Sequence, residues 1–331
     1  MKVIALVPVR NEAWVLEHSL TCWSGFCDVV IVSDQISTDR SRDICRRFPK
    51  VVLLESTEAQ TVGRLPQQAR WRLLDAARHY DGNNFLWCTD ADELTPPTLA
   101  RRFLEGHAHE LTARRVVECR FYNVWDGFTR YRHDLSVYGP QWKPMGFVDD
   151  RHVDYPRSPD RRPLHEPRMP IETDDAALLA EGLPVLHLQF AIWNRNQMKQ
   201  AWYRCIEWLD RRTSAAQINA LYSVTLPEWY VHTEPLPNDW LEDITLPGAG
   251  ADAEPSWHEP EIVGWFDQYG VEFFEPLEIW HVPALHQEFR RRVGRSPRPD
   301  RSYLPPWHAR AQRLGRRVFH AVRRRIIPRK P

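Results

Sequence analysis

The chain has 331 residues, long enough to bury a substantial core without disulfides or metals, as one large α/β domain with additions or as two domains. Lysine plus arginine and aspartate plus glutamate number 44 each, so the overall charge does not indicate a nucleic-acid or acidic partner. Fifteen tryptophans and 27 prolines indicate aromatic-rich surfaces and fixed loops, because disordered segments are poor in aromatic residues.

The cysteines and the N-terminus indicate an intracellular, cytoplasmic protein. The six cysteines form no CxxC pair and no spacing typical of metal ligands, so we expect reduced thiols. The first apolar run is broken by Pro8 and Arg10 and is too short for a signal peptide. No stretch approaches the roughly 20 apolar residues of a membrane span.

Short apolar runs alternate with helical patterns along the first part of the chain. The predicted strands are 2–9, 28–32, 51–56, 85–94 and 114–125, and the predicted helices are 14–23, 39–48, 65–80 and 95–106. This alternation predicts an α/β fold with a mostly parallel sheet and helices on both faces.

The pattern changes after residue 115, where the strand at 114–125 is the last of this series. Residues 126–170 are predicted to be rich in loops, 184–193 to form a strand and 194–212 a helix. Residues 235–260 are rich in proline, glycine and acids, which indicates a boundary nearby. We therefore divide the chain into a first domain, 1–225, and a mixed C-terminal extension, 226–331.

The end of the extension, residues 305–331, has the pattern of a basic amphipathic helix. Such a helix binds to an anionic membrane surface, which predicts a peripheral location on the inner face of the membrane. The alternative is a terminal helix that packs on its own domain with solvated arginines. We do not expect nucleic-acid binding, because no other basic region extends the patch.

Polar residues follow three of the predicted strands, at 10–12, 34–39 and 90–93. Ligands of parallel sheets bind beyond the carboxyl ends of the strands. We therefore expect these residues to gather at one edge of the sheet.

The acids Asp90 and Asp92 follow the apolar residues 85–88 directly. Two carboxylates about 4 Å apart repel by roughly 4 kcal/mol at an effective dielectric constant near 20, and a divalent cation reverses the sign of that energy. Mg²⁺ and Mn²⁺ prefer such oxygen ligands and leave room for substrate phosphates. The alternative is a solvated turn that caps the following helix.

The segments VPVRNE, SDQISTD and LWCTDADE, in this order, resemble family 2 glycosyltransferases with the GT-A fold. Each motif alone is weak, but three in order are specific. The resemblance covers roughly residues 1–120, is weaker over 160–210, and ends near residue 225. It implies a metal-dependent, inverting transfer of a sugar from a nucleotide diphosphate sugar to a glycan, lipid-linked or small-molecule acceptor, with Mg²⁺ or Mn²⁺ as cofactor.

The resemblance implies a nucleotide pocket at the first two strand ends. Pro8, Asn11 and Glu12 would line it, with Asp34 near the base or ribose. Glu12 is also a first-turn acid that complements a helix dipole, and this role does not exclude the first. Asp39 is interpreted as structural, because it is a good N-cap residue.

The resemblance also assigns the acids after the fourth strand. Asp90 would approach the ribose or the metal and its water, and Asp92 would bind the metal that bridges the diphosphate. Glu93 would hold a nearby cation in place. Arg64 and Arg70 precede this strand and would reach phosphate, with surface solvation as the alternative.

The second half of the chain offers further candidates by resemblance. His187 would ligate the metal as neutral imidazole, or it is a core histidine. Lys199 would neutralise the leaving phosphate. Inversion needs a base, for which Glu166 is the first choice and Asp150 the second, while His165 is an alternative base or acceptor ligand.

Two other functions are compatible with the sequence. A nucleotidyltransferase uses a similar sheet and acidic metal site, but VPVRNEAW lacks a glycine-rich basic phosphate loop. The other is a non-catalytic, membrane-associated binding protein on a degenerate transferase scaffold.

Overall fold

The computed structural model describes residues 1–56, 65–155, 167–171, 177–223, 231–248 and 256–302. The chain forms two compact units. The first contains Met1–Trp193 and His232–Pro255, and the second contains Asn194–Val231 and Ser256–Pro331.

The first unit is built on one large sheet. Its strands are β1 (Val3–Val9), β2 (Val29–Asp34), β3 (Val51–Glu55), β4 (Phe85–Cys88), β5 (Glu93–Leu94), β6 (Val116–Trp125), β7 (Arg130–Arg132), β8 (Gln141–Val148), β9 (Leu178–Phe190) and β10 (Thr233–Pro235). Its helices are α1 (Ala13–Phe26), α2 (Ser41–Arg46), α3 (Leu65–Ala77) and α4 (Pro97–Gly106), with a 3₁₀ turn at Asn238–Trp240.

The sheet is parallel in its first half and mixed in its second half. Strands β3, β2, β1 and β4 lie side by side in this order, all parallel. Strand β8 follows antiparallel to β4, and β6 follows antiparallel to β8. Strand β9 pairs parallel with β6 and antiparallel with β5. The predicted α/β architecture is confirmed.

Apolar residues on both faces of the parallel strands explain why helices cover both faces. Along β1, Ala5 and Val7 pack on one side with residues of α1, while Ile4 and Leu6 pack on the other side with Leu73 and its neighbours in α3. Side chains alternate between the faces of a strand, so a run that is apolar at every position becomes buried on both faces.

The second half departs from the predicted elements in two places. Strand β8 lies in the segment predicted to be rich in loops. It was not predicted as a strand, because proline and glycine, here Pro144 and Gly146, are uncommon inside strands. Pro144 pairs where the register with β6 shifts, and such an irregularity tolerates a residue without an N–H. The strand predicted at 85–94 ends at Cys88, and Glu93 and Leu94 pair instead with β9.

The second unit is helical. It consists of α5 (Trp193–Leu209), which begins at the boundary, α6 (Ala215–Leu221), α7 (His258–Tyr269), a 3₁₀ helix at Val271–Phe274, and α8 (Pro283–Val293). Trp202 of α5 packs against Trp257 and Trp265, with ring centroids 5.2 and 6.3 Å apart. These aromatic contacts explain why α5 belongs with the C-terminal helices, which differs from the boundary predicted near residue 225.

All six cysteines are free and buried, as expected from their spacing. Within the described ranges, no helix is both long and apolar enough to cross a membrane. The predicted basic helix at 305–331 lies outside the described residues.

We predict that Gly146→Ala destabilises the first unit. A Cβ atom at this position would lie 2.6 Å from Cζ of Phe85 and 2.9 Å from the backbone oxygen of Leu86. Such overpacking costs about 1–3 kcal/mol of unfolding free energy, measured by urea denaturation. Gly106→Ala is the control, because nothing lies within 4 Å of its Cβ position. An equal loss in both variants would contradict the steric explanation.

Candidate active site

The polar residues after β1, β2 and β4 lie at one edge of the sheet. Val9 pairs with Asp34 at the ends of β1 and β2, and Cys88, the last residue of β4, pairs with Leu6, three positions before Val9. The expected gathering of these residues at the carboxyl edge is therefore confirmed. Pro8 lies beyond the level where β4 ends, so its missing N–H costs no bond to β4.

Hydrogen bonds join the turn after β1 to the turn after β2. The backbone N–H of Asn11 donates to Oγ of Ser37 (2.9 Å), and its side-chain oxygen accepts from the N–H of Thr38 (2.7 Å). Asp39 accepts from the N–H groups of Ala13 and Ser41, both at 2.9 Å. Asn11 has a φ of 54°, a conformation that asparagine tolerates better than most residues. Asn11 and Asp39 therefore brace the two turns.

The acids of these turns also make protein contacts. Asp34 is 1% exposed, and its carboxylate accepts from Nε of Arg42 (2.6 Å) and from the N–H of Ser37. Asp34 therefore holds the turn after β2, and its contact with the base or ribose stays a prediction. Glu12 is half-buried at the start of α1 and accepts from Nε1 of Trp14 at 2.5 Å.

A buried ion pair holds the turn after β4. Glu93 is 1% exposed and accepts from both terminal nitrogens of Arg168, at 2.5 and 2.6 Å. It also accepts from Oγ1 of Thr89 and from the N–H of Asp90, both at 2.9 Å. Arg168 donates further to the Cys88 carbonyl at 3.1 Å. The cation predicted beside Glu93 is therefore a guanidinium of the protein itself.

Asp90 lies between two arginines. Its carboxylate accepts from Arg70 of α3 at 2.8 Å and from Arg168 at 3.3 Å. Burial by itself would raise the pKa of Asp90, but Arg168 and Arg70 outweigh burial and lower the pKa below its usual range. The side chain is 39% exposed, so this ionised carboxylate still faces solvent. Arg70 thus contacts the acidic turn, and its expected contact with phosphate stays a prediction.

Asp92 and His187 face each other on the same small ladder. Nε2 of His187 lies 3.6 Å from Oδ2 of Asp92, and the backbone oxygen of Asp92 accepts from the N–H of Leu188 at 2.8 Å. Glu93 of β5 pairs with His187 of β9. Because Asp92 directly precedes Glu93, this backbone pairing holds Asp92 close to His187. The pair was predicted to bind the metal, and the structure brings its two members together.

These residues fit a divalent cation. A carboxylate and a neutral imidazole are suitable ligands, and Mg²⁺ or Mn²⁺ needs only one or two protein ligands when phosphates supply the others. The described part of the chain contains no group of three or more His, Cys, Asp and Glu side chains placed to hold a metal ion.

Lys143 is a further cation near the acidic turn. It lies on β8 with Nζ 3.9 Å from the ring centroid of Phe121, and the centroid of His187 lies 5.0 Å from the same ring. Burial, followed by the charge of Arg168, lowers the pKa of Lys143, while Glu93 and Asp90 oppose this effect. Lys143, Arg168 and Asn123 were not predicted, because they are distant in sequence from the acidic motif.

Two further predicted residues, Asp150 and Lys199, lie on other elements. Asp150 follows β8, whose Val148 pairs with Phe85 at the amino end of β4. The acidic turn follows the opposite end of β4, five residues from Phe85 and thus about 16 Å away along an extended strand. Asp150 therefore lies near the amino end of β4, away from the acidic turn, and its assignment as a base stays a prediction. Lys199 lies on α5 in the second unit.

The remaining candidates, Arg64, His165 and Glu166, lie outside the described residues. Trp125 of β6 is buried and stacks on Phe190 with centroids 4.7 Å apart. It is therefore a core residue.

Comparisons with known proteins find distant likenesses only. No protein-family model and no curated protein matches the chain. Among solved structures, S. aureus TarS (residues 1–349) matches over 96% of this chain and 92% of its own, at 13% identity and a TM-score of 0.38.

Two further structures match smaller parts of the chain. Glucosyl-3-phosphoglycerate synthase from Mycobacterium tuberculosis matches 36% of this chain at 19% identity and a TM-score of 0.28. The match covers 44% of that enzyme, which is less than half of its length. A 4-diphosphocytidyl-2C-methyl-D-erythritol synthase matches 44% of this chain and 75% of its own, at 19% identity and a TM-score of 0.30. At TM-scores below 0.5, these likenesses do not assign the chain to a family.

We predict that Arg168→Met lowers the free energy of unfolding by about 3–5 kcal/mol, because it leaves the buried carboxylate of Glu93 without its cation. The control is Arg46→Met, which removes an ion pair to Glu55 in which the side chains are 53% and 38% exposed. Exposed pairs contribute about 0–1 kcal/mol. Urea denaturation measures both, and similar losses would show that Glu93 does not depend on Arg168.

Proposed function

We propose that this protein is a glycosyltransferase that uses a nucleotide diphosphate sugar together with Mg²⁺ or Mn²⁺. The observation that carries the proposal is the pair of Asp92 and His187, 3.6 Å apart at the carboxyl edge of a parallel sheet, where ligands of such sheets bind. The resemblance of the three motif segments to family 2 glycosyltransferases supports the sugar donor. Inversion belongs to the proposal on the same basis.

The charges around the site support an anionic ligand. Three acids, Asp90, Asp92 and Glu93, lie close to three cations, Arg70, Arg168 and Lys143. The three cationic side chains thus balance the negative charge of the three carboxylates. A bound divalent cation would give the site a net positive charge. A diphosphate is an anion of matching charge.

The residues have separate roles in the proposed reaction. Asp92 and His187 would hold the cation, which stabilises the negative charge of the departing nucleoside diphosphate. Asp90 is ionised and exposed toward solvent, and therefore is placed to accept hydrogen bonds from ribose hydroxyls or metal-bound water. Lys143 is placed to attract a phosphate oxygen. Glu93 and Arg168 are positioning residues, because they contact the acidic turn.

Several features of the proposal rest on the sequence alone. Glu166 is the first candidate for the base that accepts the proton of the acceptor hydroxyl and Asp150 the second, and His165 is an alternative base or acceptor ligand. Lys199 as a phosphate ligand, and membrane contact through residues 305–331, also remain predictions. The acceptor class stays a glycan, a lipid-linked sugar or a small molecule.

We predict metal-dependent stabilisation by one of the nucleoside diphosphates UDP, GDP, CDP and dTDP. Saturating ligand should raise the melting temperature by on the order of 5 °C with Mn²⁺ and far less without it. Asp92→Asn should abolish the part of the rise in melting temperature that depends on Mn²⁺, because the substitution removes the anionic ligand of the metal. Asp154→Asn is the matched control, since that side chain is 63% exposed and contacts Arg78 away from the site. Thermal shift measurements on the three proteins provide the test.

Three outcomes would contradict the proposal. Absence of stabilisation by all four diphosphates with Mn²⁺ would exclude the nucleotide-sugar site. Full stabilisation in Asp92→Asn would exclude the metal assignment. Stabilisation by nucleoside triphosphates and not by nucleotide sugars would favour the nucleotidyltransferase instead.

A further inference from the structure

Asn123 is a buried amide next to the proposed metal ligands. It lies on β6 with 3% of its surface exposed, directly opposite His187 in the ladder between β6 and β9. Its Nδ2 donates to the backbone oxygen of Tyr138 at 2.8 Å. Its Oδ1 lies 2.7 Å from Nδ1 of His187.

These two contacts fix the orientation of the amide. A carbonyl oxygen only accepts hydrogen bonds, so the amide group facing Tyr138 must be the NH₂ group. The other side of the amide, which faces His187, is therefore the oxygen. Because Oδ1 also only accepts, Nδ1 of His187 must carry a proton. In the neutral ring, the lone pair then lies on Nε2, the nitrogen 3.6 Å from Asp92.

We propose that Asn123 is a positioning residue that selects the Nδ1–H tautomer of His187 and thereby directs Nε2 to the cation. The inference rests on the proposed metal site and adds a residue to it. A chain of hydrogen bonds runs from the Tyr138 backbone through Asn123 to His187. Partners of this kind orient metal-binding histidines, and their loss typically lowers metal affinity about 10–100-fold.

The environment of the ring supports the same assignment. His187 is held between Phe121 and Phe190, with ring centroids 5.0 and 5.9 Å away. These aromatic contacts restrict the ring plane but do not distinguish the two nitrogens. The amide of Asn123 does distinguish them, so it determines which nitrogen faces Asp92.

The test uses the full chain and two measurements. The first is long-range ¹H–¹⁵N NMR of histidine-labelled protein without metal, at about pH 8.5, where an imidazole of ordinary pKa is neutral. The His187 signal is identified by its loss in His187→Gln. The second is the affinity for Mn²⁺ in the presence of each of UDP, GDP, CDP and dTDP, measured by EPR of the free ion.

We expect the Nδ1–H tautomer of His187 in the wild type and a shift toward the other tautomer in Asn123→Leu, with Mn²⁺ affinity about 10–100-fold lower. Asn123→Asp keeps an acceptor toward Nδ1 and should retain the wild-type tautomer. Asn84→Leu is the matched control, because Asn84 is 4% exposed and also bonds through both ends of its amide, to the N–H of Lys2 and the Tyr80 carbonyl. It should leave the His187 signal and the Mn²⁺ affinity unchanged.

Two results would overturn the inference. One is an Nε2–H tautomer of His187 in the wild type, a result that does not depend on whether any variant folds. The other is an unchanged tautomer in folded Asn123→Leu. If the wild type binds no Mn²⁺ with any of the four diphosphates, the proposed function fails, and the NMR spectrum alone still decides whether Asn123 sets the tautomer.

Discussion

The ion pair between Glu93 and Arg168 is the interaction on which the acidic turn depends. Three carboxylates within four positions would repel one another at the end of a buried strand, by roughly 4 kcal/mol for a pair 4 Å apart at an effective dielectric constant near 20. Arg168 contacts two of these acids and the Cys88 carbonyl. Arg70 contacts Asp90 from α3. Packing of separate segments onto β4 thus makes the clustered charges tolerable.

The same contacts separate the three acids chemically. Glu93 is occupied by a guanidinium and by the turn itself, so it acts as a support. Asp90 is ionised between two arginines and reaches solvent. Asp92 lies 3.6 Å from the imidazole of His187, and a carboxylate beside a neutral imidazole is a suitable ligand pair for a divalent cation. The burial of each carboxylate and the group that it contacts, rather than its position in the sequence, therefore distinguish the three acids.

The parallel half of the sheet was predictable because its strands and helices carry local periodic patterns. Strand β8 was not predictable in this way. Pro144 is tolerated because the register with β6 shifts beside it, and Gly146 is required because Phe85 packs closely on it, and both features arise only from the tertiary structure. For the site, the acidic motif and His187 were found from sequence. Arg168 and Asn123 were not, because a lone arginine or asparagine carries no pattern, and only tertiary contacts join them to the acids.

The position of His187 depends on an irregularity earlier in its own strand. Cys119 of β6 pairs with Ala180 of β9, but Arg120 pairs with Pro184, so residues 181–183 are inserted between two ladder positions. Gly182 has a φ of 78° there, which glycine adopts at no steric cost. A slip of one residue in the following ladder would place Leu186 or Leu188 opposite Asn123, since neighbouring positions face opposite sides. The bulge around Gly182 therefore sets the register that brings an imidazole, rather than a leucine, to Asp92.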